Sequence, residues 1–469
     1  MNCGNNFWNI LKTHGAESAL IERRTGTLLS YQTLADEVDR FSSALSRYRR
    51  TVILLPLDNR IDNIILYLAA LQSQHIPLIY SSRSPERSVR ELIAKYRPGC
   101  IFGSAIEAVL GTDCYVLRDV AGIQGLFRSD PEADVYLHPD LALLLSTSGS
   151  TGSPKLVRLS TQNLQRAAQQ VSSVLNIVPG NRAITSVPIS HIYGLSVLNS
   201  HLNSGASIVV EEASVIEKEF WNTVDSLCVT SLSGVPWTYE MLQSANLSAA
   251  RISSLKSVST SGGRISHKTS IWLEDVFGAA GARIYYMYGQ TEACGRIAVL
   301  PPEMRLEKKG SVGRAVPGGA IWNTEDGSIT YGGGNVMLGY ASALSDLAEG
   351  DHLGEVLDTG DIGFLDSDNC LYLTGRKSRI TKICGVRINL DEMQDYLRDK
   401  NIDCSLQTND PEGICIQYCG TIDVQQFKHD LARNFGIPQT TISVTNVSSL
   451  VRLENGKLRV AKNNAGSPA

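Results

Sequence analysis

Short apolar runs alternating with helix-period segments limit what this chain can fold into more than any other feature. Residues 51–57 read TVILLPL, residues 61–73 read IDNIILYLAALQS, and residues 75–80 read HIPLIY. A β-rich run, an apolar stretch long enough for three helical turns, and a second β-rich run make the unit that sets two parallel strands side by side under a crossing helix. SPERSVRELIAKYRP then predicts another helix, with Ser84 as its cap and Pro85 at its first position, and GCIFGS another strand. The rhythm returns at AITSVPI, ASIVV, SLCVTSLSG, SLKSVSTSGG and ARIYYMYG, each closed by Gly, Pro or Ser. The expected fold class is therefore α/β, in layers with parallel strands.

Two changes of pattern follow. From Gly318 the chain turns to short, glycine-punctuated strands (SITYGGG, CLYLTG), which predict a smaller antiparallel subdomain. After Thr374 comes GRKSRITKICGVRIN, dense in Lys and Arg, and then LDEMQDYLRDK, an amphipathic helix with acids near its start. ICIQYCG, a helical VQQFKHDLARNF and TISVTNVSSLVRLENGK complete a small α+β unit. The expected division is residues 1–374 and 375–469, with NNAGSPA as a frayed tail.

At 469 residues, 43% of them apolar, the chain can bury large cores and is expected to divide into two or more domains. The formal charge of −4, with both signs mixed along the sequence, argues against a nucleic-acid surface as its main business. No apolar run reaches the ~18 residues of a membrane span, and the start of the chain has no export-signal pattern. The 10 cysteines form no CxxC pair and the 8 histidines no HExxH spacing, so reduced thiols in a cytoplasmic setting are expected, and a protein-ligated structural metal is not.

Residues 145–159 read LSTSGSTGSPKLVRL. Ser146, Thr147, Ser148, Ser150 and Thr151 offer hydroxyl donors, and Gly149 and Gly152 let backbone N–H groups approach phosphate oxygens. Lys155 adds a mobile charge presented by a turn that Pro154 stiffens. The preceding LALLL reads as a buried strand feeding this loop. This is not a GxxxxGK[ST] P-loop, because no glycine precedes Lys155 and Leu156 follows it. A polyphosphate cradle is the functional reading; a flexible polar surface loop accounts for the composition alone.

Five stretches fall in a telling order: STSGSTGSPK, then Tyr288-Gly289-Gln290-Thr291-Glu292, then Asp358-Thr359-Gly360-Asp361. Gly375-Arg376 with Gly385-Val386-Arg387-Ile388 comes next, and Asn455-Gly456-Lys457 ends the series. Together they resemble the adenylate-forming, or AMP-binding, enzyme superfamily of acyl- and aryl-CoA ligases, peptide-synthetase adenylation domains and luciferases. The resemblance implies a large N-terminal adenylate-forming domain and a small mobile C-terminal domain. It also implies ATP and Mg²⁺ as cofactors, with an acid joined to AMP and then passed to a thiol. By this resemblance the loop 146–155 grips pyrophosphate, Tyr288 stacks on adenine, Thr291 donates to the α-phosphate and Glu292 holds Mg²⁺. Gly262 and Gly263 let adenine or the acyl chain lie against backbone, Gly289 and Gln290 complete the nucleotide wall, and Asp361 spans the ribose hydroxyls beside Arg376. Lys457 is the implied catalytic lysine, meeting the carboxylate and α-phosphate as charge builds.

The chain departs from the family pattern in places. Leu156 and Thr161 stand where the family has Gly and His, Ser328 stands in the place of a Glu, and Ser378 occupies the usual Asp or Lys hinge position. Together they suggest a specialised branch. Amino-acid-activating members place an Asp early in the helix after a VP strand, whereas this chain reads VPISHIYGLSVL. His191 resembles the gating residue of aryl and fatty acid ligases. With Tyr193 and Trp237 nearby, an apolar or aromatic carboxylic acid is expected. The alternatives are an amino-acid adenylation enzyme loading a separate peptidyl carrier protein, and an inactive scaffold homologue. The expected thiol acceptor is CoA or an acyl or aryl carrier protein, and the basic residues Lys377, Arg379 and Lys382 suit either.

Overall fold

The computed structural model describes residues 6–107, 114–129, 136–146, 155–245, 249–400, 402–409 and 413–450. Two large mixed sheets dominate. The nine-stranded sheet has six parallel strands at its centre, in spatial order Arg283–Tyr288, Ser257–Thr260, Ser231–Gly234, Arg182–Ile184, Ser207–Val210 and Ser18–Glu22. Antiparallel Thr27–Ser30 borders one side, and Ala298–Leu300 with Arg314–Ala315 the other. The eight-stranded sheet centres on four parallel strands, Leu141–Ser146, Ile76–Tyr80, Val52–Pro56 and Cys100–Phe102. Val52–Pro56 and Ile76–Tyr80 are buried along their whole length, as parallel strands covered on both faces must be.

The largest apolar core lies between these sheets. It joins Leu55, Leu143 and Leu145 of one to Leu20, Ile208, Tyr285 and Met287 of the other. Helices Tyr31–Leu45, Ile61–Gln72, Thr161–Val174 and Ile192–Asn203 bury residues in this core. The Thr161–Val174 helix begins with a capping box in which Ser160 accepts from Asn163 N at 3.0 Å and Asn163 Oδ1 accepts from Ser160 N at 2.9 Å. The helix over SPERSVRELIAKYRP runs Glu86–Tyr96. Pro85 occupies its cap rather than its first turn, because its ψ of 135° is extended, so Ser84 falls outside and no side chain caps this helix.

The antiparallel subdomain is a four-stranded sheet in the order Ala320–Asn323, Ser328–Gly332, Val356–Leu365, Leu371–Arg376. Beyond it, helices Leu390–Asp399 and Val424–Phe435 pack with strands Cys404–Asn409, Gly413–Tyr418 and Ile442–Asn446 around a separate core running from Ile383 to Ile442. Asn389 caps the first of these helices, accepting from Asp391 N at 3.0 Å. Among the described residues no helix is long and apolar enough to cross a membrane.

Candidate active site

The strands Ser231–Gly234, Ser257–Thr260 and Arg283–Tyr288 run parallel; the first two end level, Gly234 opposite Thr260, and the third, with Tyr286 opposite Thr260, runs two residues further. Ligands of open parallel sheets lie in the crevice outside such carboxyl ends. Two of the motifs open directly from these ends. Ser261, Gly262 and Gly263 follow one strand, with Gly262 at φ +88° and Gly263 against the ring of Pro236. Tyr288 is the last residue of the neighbouring strand, and Gly289–Glu292 continue from it.

Gly289 is required by close approach, since a Cβ there would sit 2.1 Å from the Gly295 carbonyl oxygen. The chain folds back on itself at this point. Gln290 O accepts from Ala293 N at 3.0 Å and Gly295 N at 2.9 Å, and Thr291–Ala293 make one 3₁₀ turn. Two residues from the glycine segment 332–340 hold the turn from outside. Fully buried Asn335 donates through Nδ2 to the carbonyls of Ala293 and Arg296, both at 2.8 Å, and accepts from Tyr331 OH at 2.6 Å. Met337 N donates to Glu292 O at 2.9 Å.

Two side-chain clusters hang from this loop. In the first, Tyr340 donates its phenol to Glu292 Oε1 at 2.8 Å, and Lys155 Nζ lies 5.7 Å from the Tyr340 ring centroid. Burial, and then the Glu292 carboxylate, push the Tyr340 phenol above its ordinary value. Glu292 thus offers a half-exposed carboxylate, with the Tyr340 ring between it and Lys155 as their shared neighbour. Mg²⁺ is commonly held by one or two carboxylates plus substrate phosphates, so this donor fits a metal that arrives with a nucleotide.

In the second cluster Tyr288 donates its phenol to Asp361 Oδ2, and Arg376 Nε pairs with Asp361 Oδ1 at 2.9 Å. Asp361 and Arg376 are register partners on adjacent strands, so the sheet itself sets this pair. Asp361 is 4% exposed, and burial followed by its charge drives the Tyr288 phenol well above the usual tyrosine range. The same carboxylate, as the largest cause, raises the Arg376 guanidinium. Asp391 accepts from Arg376 N at 3.0 Å, tying this cluster to the Leu390–Asp399 helix.

On the third side, His191 takes the cap position of the Ile192–Asn203 helix without its ring capping it, and that first turn carries no acid. Tyr193 is buried, and its hydroxyl donates to the Ser259 carbonyl at 3.0 Å. Ser146 is the exposed last residue of its strand and Lys155 directly precedes the strand Leu156–Ser160. Thr147, Ser148, Gly149, Ser150, Thr151, Gly152 and Lys457 lie outside the described residues. Ser328 is buried, its hydroxyl donating to Asp326 at 2.6 Å. Tyr340 and Asn335, which the motifs did not single out, both lie in the glycine segment 332–340.

The family model of AMP-binding enzymes matches residues 7–341. The chain is 26% identical over 401 residues to the D-alanine–D-alanyl carrier protein ligase of Staphylococcus epidermidis, covering 81% of this chain and 79% of that protein. It is 29% identical over 279 residues to the 2-succinylbenzoate–CoA ligase of Bacillus subtilis, covering 57% of this chain and 55% of that protein. Among solved structures, o-succinylbenzoate CoA synthetase from Bacillus subtilis in complex with its acyl-adenylate intermediate has a TM-score of 0.79 at 21% identity, covering 99% of this chain and 98% of that one. At that identity the likeness is one of fold. With the family model spanning more than half of its length, the chain belongs to the AMP-binding enzyme family, whose reaction is the ATP-dependent activation of a carboxylic acid as acyl-AMP with release of pyrophosphate.

Proposed function

We propose that this chain is an acid–thiol ligase that activates an aryl or acyl carboxylic acid as acyl-AMP and passes the acyl group to the phosphopantetheine thiol of CoA or of a carrier protein. The observation that carries the reading is that one short loop, Tyr288 to Glu292, anchors both the Tyr288–Asp361–Arg376 cluster and the Glu292–Tyr340–Lys155 cluster. An ionised carboxylate has about four lone-pair sites, so Asp361, oriented by Tyr288 and Arg376, retains acceptors for two vicinal ribose hydroxyls. Tyr288 flanks the adenine, with Gly262, Gly263, Gly289 and Gln290 as the small or planar wall around it. Thr291 donates to the α-phosphate, and Glu292 carries Mg²⁺, whose charge, when bound, offsets that of the phosphates. Lys155 with the hydroxyl loop 146–152 holds the pyrophosphate. Lys457, on a mobile domain of residues 375–469, serves as the cation for the attacking carboxylate. His191 gates the acid pocket, and a cytoplasmic setting supplies ATP and thiol.

The acid side supports an acyl or aryl substrate over an amino acid. The first turn of the Ile192–Asn203 helix has no carboxylate to pair with an ammonium, and the group above the Tyr193 ring, at 4.9 Å, is the Arg296 guanidinium, a like charge. Amino-acid activation for a separate carrier protein is the second reading, favoured by the likeness to the D-alanine ligase over 81% of the chain. Acid-dependent ATP–pyrophosphate exchange across aryl, fatty, dicarboxylic and amino acids tests both, followed by thioester formation with CoA or a phosphopantetheinylated carrier. Exchange with aryl or acyl acids and a stable thioester is expected. Exchange with amino acids alone selects the second reading, and none with any acid refutes both.

A further inference from the structure

Two arginines lie wholly inside the large α/β body, and the fold treats them differently. Arg158 uses each guanidinium nitrogen on backbone carbonyls: Nε on Tyr340 at 3.2 Å, Nη1 on Glu349, and Nη2 on Leu338 at 3.3 Å. Arg296 is 1% exposed, yet only Nη1 is engaged, with Ser261 Oγ at 3.3 Å and the Gly295 carbonyl at 2.8 Å. Its Nε and Nη2 meet no acceptor among the described residues. These two atoms present parallel N–H groups along one edge of the guanidinium, the edge that takes a carboxylate bidentately. Desolvation lowers the proton affinity of Arg296, and no carboxylate among the described residues offsets it. A buried cation with three of its five N–H donors idle is costly, and an idle buried donor edge calls for a partner.

Its position says which ligand. Arg296 lies four residues beyond Glu292, with its backbone carbonyl pinned by Asn335 at 2.8 Å. Its guanidinium sits 4.9 Å from the ring centroid of Tyr193, in the first turn of the helix that follows the VP stretch. Ser261, its hydrogen-bond partner, is the first residue beyond the strand Ser257–Thr260. These contacts set the cation beside the helix that carries His191 and Tyr193, the elements assigned above to the acid.

We infer that the acid taken at this site is a dicarboxylic acid, whose second carboxylate pairs with the Nε and Nη2 edge of Arg296 while its first is activated. This rests on the ligase reading above and narrows its substrate class. Arg296 is then a specificity-determining residue that holds the remote end of the substrate and takes no part in bond making.

The test is acid-dependent ATP–pyrophosphate exchange with matched pairs: glutarate and valerate, adipate and hexanoate, isophthalate and benzoate. At least one diacid is expected to exceed its monoacid partner in kcat/KM by about 100-fold. In Arg296→Leu that diacid is expected to lose about 100-fold, the preference to reverse toward the monoacid, and the KM for ATP to stay within about two-fold. Arg296→Lys, which keeps the cation, restores part of the diacid preference and carries the comparison if the leucine variant fails to fold. Monoacids matching diacids in the wild type, or an Arg296→Leu variant that loses both equally, overturns the inference and leaves the ligase reading standing. No exchange with any acid refutes the ligase reading, and the inference with it.

Discussion

The Tyr288–Asp361–Arg376 cluster has the properties of a preformed ligand site. A carboxylate 4% exposed is expensive unless every approach to it is a donor, and here one phenol and one guanidinium supply them. Tyr288→Phe removes one donor while keeping the ring proposed above to flank adenine. A hydrogen bond to a charged group contributes about 1.5–3 kcal/mol, so AMP affinity is expected to fall by about ten-fold or more in titration calorimetry. Unchanged AMP affinity would show that Asp361 is positioned by Arg376 alone. Asp361 and Arg376 were legible as a pair of motifs. The Tyr288 phenol as donor to Asp361 was not, because the two residues are 73 positions apart and no local pattern links them. Arg296 left no signal beyond being one more arginine, since burial and an unfilled donor edge are properties of the packed chain.

At the level of elements, the site hangs on the turn Thr291–Ala293, which is too short to hold its own shape. Its rigidity is borrowed from the glycine segment through Asn335, whose Nδ2 serves the Ala293 and Arg296 carbonyls and whose Oδ1 serves Tyr331. Asn335→Ala leaves two buried carbonyls and a buried phenol without this partner. The expected cost is about 2–4 kcal/mol in urea unfolding, with a loss of exchange activity larger than the loss of folded protein explains. Wild-type stability in this variant would mean that the turn is held by its own backbone bonds. The strands that carry the site were readable from apolar runs, and the helix at 61–73 from its length. The start at Glu86 was not, because whether Pro85 takes the cap or the first turn depends on a ψ angle that the sequence leaves open.

Across the whole molecule, the helices between the two sheets bring polar groups into the main core, and one of them couples stability to pH. His201 is 3% exposed on the Ile192–Asn203 helix, its Nδ1 at 2.8 Å from the Val197 carbonyl, and burial lowers its pKa to about 4. Unfolded, it titrates near the ordinary value of about 6.5. Between these values the unfolded chain binds a proton that the folded one refuses, so stability falls as pH drops from about 6.5 toward 4 and is level above that window. The loss is on the order of 3 kcal/mol. Urea midpoints at pH 7 and pH 5 are expected to converge in His201→Gln, and an unaltered pH slope in that variant would assign the effect to other groups. The sequence by itself determined the layered α/β class, the antiparallel change after Gly318 and the family, because periodicity and motif spacing are local properties. Only the tertiary structure decided that Tyr340 and Asn335 build the Glu292 turn, that Tyr288 grips Asp361, and that Arg158 is satisfied where Arg296 is not. Satisfaction of a buried polar group depends on which distant segment packs against it, and that is fixed only when the sheets close on their cores.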